Sequence, residues 1–209
     1  MWQLILLIPA LFFSDHLVAV QPIENKTKLL VVGDSLSAAY GLKQEQGWVS
    51  LLQNAWSEKN IAVINAAISG ETTDGGLARL PKLLTQHQPS HMLLELGGND
   101  GLQGHNVKKM RDNLAQMIEL AKAANVQVLL QEMRIPTNYG RRYNQMFTES
   151  YELLAEQYQI PLVPFFLEDV ALKPELMQPD GIHPALEAQP LIAKFMQQQL
   201  TPLLQPLQQ

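Results

Sequence analysis

Leu29-Leu30-Val31-Val32-Gly33-Asp34-Ser35-Leu36-Ser37 is the stretch whose reading decides the fold. Leu29 to Val32 are apolar, and the two valines are β-branched, which predicts a short buried strand. Gly33 ends it, and Ser35 follows ahead of small residues that lead into a helical pattern. A serine at a strand exit, facing the start of a helix, has its hydroxyl in the open and peptide N–H groups nearby. That suits a nucleophile. It equally suits an ordinary helix cap, where Ser and Asp are preferred. The stretch alone leaves both readings open.

Outward from it, strands and helices alternate. Strand candidates are 28–33, 61–66, 91–96, 126–132 and 161–164. They are short and apolar on both faces, as in a parallel sheet covered on both sides. Between them run helical stripes: Trp48, Leu51, Leu52, Ala55 and Trp56; Val107, Met110, Leu114, Met117, Ile118 and Ala121; Phe147, Tyr151, Leu154, Ala155 and Tyr158. A last stripe, Leu191, Ile192, Phe195 and Met196, starts near Pro190, a good first-turn residue. All four stripes read as core, because their spacing fits packing. The segment 72–84 is the odd helix: Leu77, Leu80 and Leu84 have helical spacing, but Gly75, Gly76 and Pro81 interrupt it. Such a helix is expected to be weakly held and a candidate for motion. The fold class is therefore α/β, a three-layer α/β/α sandwich around a flavodoxin-like five-stranded parallel sheet of order 2-1-3-4-5. The tail 201–209, rich in Gln and Pro, is expected to fray.

With 209 residues, 46% of them apolar and 17% charged, the chain suits one globular domain, here 20–209. The net charge of −5 and the scattered Lys and Arg exclude a basic nucleic-acid stripe. Residues 1–19 differ: Leu4 to Phe13 is an apolar run broken only by Pro9. It is too short to span a bilayer, which takes about 20 residues, and matches the core of a signal peptide cleaved near Ala19. No Lys or Arg precedes the run. Cysteine is absent, which excludes disulfides, a thiol nucleophile, a Cys-ligated metal and a lipid-anchored cysteine.

In an open parallel sheet, functional groups collect beyond the carboxyl ends of the strands. Those ends carry Gly33-Asp34-Ser35; Ser69-Gly70-Glu71; Gly97-Gly98-Asn99-Asp100; Arg134 to Tyr139; and Asp180-Gly181-Ile182-His183. A serine needs a base, and histidine titrates near neutrality. Of the five histidines, His16 lies in the signal segment, and His87, His91 and His105 lack a carboxylate at a suggestive offset. His183 has Asp180 three residues earlier in a tight turn, close enough to hold Nδ1 and leave Nε2 for Ser35. Gly70 offers an unobstructed N–H to an oxyanion, Asn99 a side-chain amide, and Ser35 its own N–H. Taken singly, Gly70 and the Gly97-Gly98 pair are equally plain turn chemistry, and Asp180 with His183 an ordinary polar turn.

Together these blocks resemble the SGNH/GDSL hydrolase family. The likeness runs from Lys28 to about Leu200, and includes the secreted bacterial members that cleave acyl thioesters and lysophospholipids. It implies Ser35 as nucleophile, Asp180 and His183 as its partners, and Ser35, Gly70 and Asn99 as the oxyanion hole. It implies a periplasmic or secreted esterase or thioesterase, without metal or organic cofactor. It also implies that the segment containing Gly75, Gly76, Leu77, Leu80 and Pro81 is a loop moving over the acyl chain. The expected partner is a small acyl ester or thioester. Nucleic acid, stable membrane insertion after signal cleavage and oligomerisation are not expected. A carbohydrate O-acetyl esterase of the same family, and a phosphate- or nucleotide-binding sheet, are the competing readings. The second lacks a dinucleotide fingerprint or P-loop.

Overall fold

Residues 27–204 are described by the structure, a computed structural model. The expected signal segment 1–19 lies outside the described residues, as do residues 205–209 of the tail.

The strands are β1 (Thr27–Gly33), β2 (Ile61–Asn65), β3 (His91–Glu95), β4 (Gln127–Gln131) and β5 (Leu162–Val163). They form one parallel sheet in the expected order, β2-β1-β3-β4-β5. Period-two alternation splits each inner strand between two cores. Leu30, Val32, Met92, Leu94, Val128 and Leu130 face one core, closed by α2 (Thr73–His87), α4 (Val107–Ala123) and α5 (Arg141–Tyr158). Leu29, Val31, Leu93 and Leu129 face the other, closed by α1 (Trp48–Ala55) and α6 (Gln189–Leu200). Each large side chain buried this way contributes about 1.5–3 kcal/mol relative to exposure. This is why the inner strands read as unbroken apolar runs. In α6 the stripe is only partly core: Ile192 and Met196 are buried, but Leu191 is 50% exposed.

The expected weak helix is a continuous α2, and its hold comes from elsewhere in the chain. Asp100, on the short helix α3 (Gly98–Leu102), accepts hydrogen bonds from the Thr73 amide at 2.8 Å and its hydroxyl at 2.7 Å. Asn113 on α4 donates to the Thr73 hydroxyl at 3.1 Å and to Asp74 at 2.9 Å. A carboxylate at a helix N-terminus satisfies its free N–H groups and its dipole. Gly76 is a packing residue, since a Cβ there would lie 2.3 Å from Leu96. Two further expectations fail. No helix starts behind Ser35: residues 35–41 form successive turns, with Ala39 and Gly41 in the left-handed region, and α1 begins only at Trp48. The start of the tail does not fray, because Leu204 is 4% exposed and packs in the α1/α6 core.

β1 pairs with β2 on one side and β3 on the other. The chain leaves β1 in one direction along the sheet and returns in the other, opening a crevice at its carboxyl end. Ser35 lies at that crevice.

Candidate active site

The β1 exit is built on Asp34. Its Oδ1 accepts the Leu36 amide at 3.0 Å, and its carbonyl accepts the Ser37 and Ala38 amides. With no helix start behind it, Ser35 caps nothing; the side-chain-to-backbone bond here is an Asx turn made by Asp34. The turn is tied to both sides of the sheet. Trp48 on α1 donates from its ring to the Leu36 carbonyl at 3.0 Å, and Asn65 at the end of β2 donates to the Ser37 carbonyl at 2.9 Å. Ser35 is left half-buried with its hydroxyl directed outward to His183.

The loop after β5 supplies the other half. Asp180 folds over its own turn: Oδ1 accepts the Ile182 and His183 amides at 2.9 and 3.0 Å, and Oδ2 lies 2.7 Å from His183 Nδ1. His183 Nε2 lies 2.9 Å from Ser35 Oγ. Partial burial works against the Asp180 charge. Hydrogen bonds from the His183 amide and ring and from the Ile182 amide outweigh it and hold the carboxyl at about 2. Asp180 is therefore ionised at neutral pH and can fix a proton on Nδ1, leaving Nε2 as acceptor for the serine proton. Tyr40 stacks on the imidazole with centroids 4.1 Å apart. Gln178 donates to the carbonyls of Tyr40 and Pro184, at 2.8 and 3.1 Å, which fastens this loop to the Ser35 turn.

The Gly70 and Ser35 amides have no acceptor among the described residues and remain available to a ligand. Gly70 has φ +81, a conformation that other residues adopt at a cost. Asn99 is placed by Gly97, which has φ +111 and whose Cβ position would lie 2.2 Å from the Tyr151 hydroxyl. Its amide is not idle: Nδ2 donates to Asp34 Oδ2 at 3.1 Å and to the Glu71 carbonyl at 2.9 Å. Loops from β1, β2, β3 and the β5 side thus bring Ser35, Gly70, Asn99, Asp180 and His183 to one place.

Comparison with known proteins gives the family. Residues 31–189 match the GDSL-like Lipase/Acylhydrolase family. The chain belongs to that family. It is 52% identical over 175 residues to the Thioesterase 1/protease 1/lysophospholipase L1 of Escherichia coli (strain K12), covering 84% of each chain. It is 53% identical over 175 residues to an Arylesterase of Vibrio mimicus, covering 83% of this chain and 88% of that one. Among solved structures, the psychrotrophic esterase EstA from Pseudoalteromonas sp. superposes with a TM-score of 0.83 at 48% identity, over 85% of this chain and 98% of that one.

In this GDSL-family chain a cavity of about 590 Å³ opens beside the site. Ser35, Gly70, Asn99 and His183 are among its lining residues, as are the apolar Leu102, Met133, Ile135, Pro136, Phe165, Leu167 and Leu172. Gly75, Gly76, Leu77, Leu80 and Pro81 do not line it. They lie within α2, with Gly76 and Leu80 buried in the core, so the expectation of a loop over an acyl chain is corrected. The apolar wall comes instead from the loops after β4 and β5. Sequence reading picked out Arg134 to Tyr139 as a strand end but gave it no role, and it missed Phe165, Leu167 and Leu172. Their signal was position: apolar residues just past a strand end, where no helical stripe claims them. His105, set aside for want of a carboxylate, has Nδ1 3.9 Å from Asp100, whose oxygens already hold α2. Among the described residues no group of three His, Asp or Glu could hold a metal.

Proposed function

We propose that this chain is a serine esterase and thioesterase that cleaves carboxylic esters, acyl thioesters and lysophospholipids through an acyl-enzyme on Ser35. The observation that carries this is the 2.9 Å contact between His183 Nε2 and Ser35 Oγ, with Asp180 2.7 Å behind the same ring. His183 takes the hydroxyl proton as Ser35 attacks the acyl carbonyl. Asp180 keeps the ring oriented and stabilises its cation. The Ser35 and Gly70 amides and the Asn99 side chain receive the oxyanion. His183 then protonates the leaving group, and water, deprotonated by the same ring, releases the acid.

The apolar cavity supports an acyl chain as the occupant, in keeping with the thioesterase, lysophospholipase and esterase names of the relatives. A sugar O-acetyl esterase would have little use for that wall. Among the described residues no helix is long and apolar enough to cross a membrane. Export behind the apolar run 4–13, and action as a monomer on small acyl substrates, belong to the same proposal. Two measurements test it. A fluorophosphonate should label the wild type and fail to label Ser35→Ala. Rates on p-nitrophenyl esters should rise from acetyl to medium chains, and a maximum at acetyl would favour the sugar esterase.

A further inference from the structure

Glu95 is the last residue of β3 and is 0% exposed, and the reaction as proposed makes no use of it. Its Oε2 accepts the Asp34 amide at 3.2 Å and the Ser37 hydroxyl at 2.6 Å. The amide contact sets this carboxyl beside Asp34, and both carboxyls are buried. Its Oε1 receives no donor among the described residues, which fits a carboxyl that retains a proton rather than a full charge. Gly33, register partner of Glu95 in the sheet, makes the room: a Cβ there would lie 2.3 Å from Oε2. The glycine before Asp34-Ser35 is thus fitted to this carboxyl.

The chain of contacts continues to the oxyanion donor. Glu95 holds Asp34, and Asp34 Oδ2 holds Asn99 Nδ2 at 3.1 Å. Both Asn99 amide hydrogens are engaged at rest, one by Asp34 and one by the Glu71 carbonyl. An oxyanion on the Ser35 adduct must draw one of them into a shared bond, and the Asp34 charge competes for it. We propose that Glu95 is a positioning residue that holds one proton against Asp34, so that the pair carries a single negative charge and the Asn99 amide stays aligned yet free to turn to the oxyanion. This rests on the hydrolase reading of Ser35.

The surroundings support it. Burial, then the neighbouring Asp34 charge, raises the Glu95 carboxyl well above its usual range, while burial lifts Asp34 to about 6. Asp100, from α3, adds negative potential at Asp34, and His183, from the loop after β5, opposes it when it carries the serine proton. Tyr151 of α5 lies near the pair and is kept neutral, its hydroxyl donating to the Leu96 carbonyl at 2.9 Å. Both shifts favour keeping one proton between the two carboxyls. At high pH it is lost, and two charges then stand behind the oxyanion hole.

The test compares wild type, Glu95→Gln and Glu95→Ala for kcat and KM across pH on a p-nitrophenyl ester. Glutamine keeps a neutral donor toward Asp34 and an acceptor for the Asp34 and Ser37 groups. We expect it to retain kcat within about 3-fold and to lose the alkaline decline of the wild type. Alanine should lower kcat by about 100-fold with KM nearly unchanged. A glutamine variant as slow as the alanine variant, or one with the wild-type alkaline limb, overturns the proposal. Should the alanine variant not fold, pH-dependent stability decides. The wild-type Glu95 carboxyl binds its proton more tightly folded than unfolded. Its stability should therefore begin to fall, relative to Glu95→Gln, at the ordinary carboxylate value near about 4 and go on falling as pH rises toward the raised folded value. Parallel stability curves overturn the proton. Failure of a fluorophosphonate to label wild-type Ser35 would overturn the hydrolase reading instead, and the stability curves do not depend on it.

Discussion

Two carboxylates flank Ser35, and their surroundings push them in opposite directions. Asp180 sits on an exposed loop, where three hydrogen bonds from its own turn and the His183 ring keep it charged down to about 2. Asp34 sits on the floor of the site against another carboxyl, where burial lifts it to about 6. Chemically identical side chains are thus given a fixed charge on one side of the serine and an adjustable one on the other. The difference follows from burial: the donors around Asp180 outweigh its slight burial, whereas the Leu36 amide and Asn99 do not offset the deep burial of Asp34.

Substitutions can break this contrast at several scales. The largest loss is expected from Ser35→Ala and His183→Ala, each lowering kcat by about 10⁴- to 10⁶-fold in a folded protein. Turnover retained by either would remove the hydrolytic assignment. Asp180→Asn should follow at about 10⁴-fold, because an amide there no longer enforces the required tautomer. Asn99→Ala should lower kcat by about 10²- to 10³-fold with KM little changed, and a change confined to KM would give Asn99 a role in ground-state binding instead. Asp34→Asn should cost only about 10-fold, the worth of weakened bonds to Leu36 and Asn99. A loss equal to that of Asp180→Asn would erase the distinction between the two carboxylates. Tyr40→Leu should be mildest, about 3- to 10-fold in kcat, as stacking on the imidazolium is lost.

The same contrast has opposite signs in pH titrations of stability. Asp180 is held below its ordinary value, so its stabilising contribution is present above about 4 and fades as pH falls toward about 2. Asp180→Asn should therefore narrow its gap to the wild type at the acid end. Thermal melts of both across that range would show it, and a gap that widens in acid would contradict the assigned hydrogen bonds.

The sheet was legible because its inner strands are buried on both faces, which leaves an apolar run that few other environments produce. The Ser35, Asp180 and His183 cluster was legible because strand ends in a parallel sheet share one edge. What sequence could not supply was partnership across long separations. Gly75, Gly76 and Pro81 read as a weak helix, since the carboxylate that secures it, Asp100, comes from another element. Glu95 closes an otherwise apolar strand and drew no reading from sequence, because its meaning depends on facing Gly33 across the sheet. The turns behind Ser35 resembled a helix start because nothing local marks Ala39 as left-handed.

The contact between His183 and Ser35 joins positions 148 residues apart. Closing so long a loop carries an entropic cost that nearby pairings do not. The central strands can assemble before it forms, and the reactive serine then waits on the last segments to dock. Competence for hydrolysis is thereby a late event in folding. During refolding, fluorophosphonate labelling of Ser35 should lag the recovery of secondary structure, and a chain cut before Asp180 should keep its nucleophile silent.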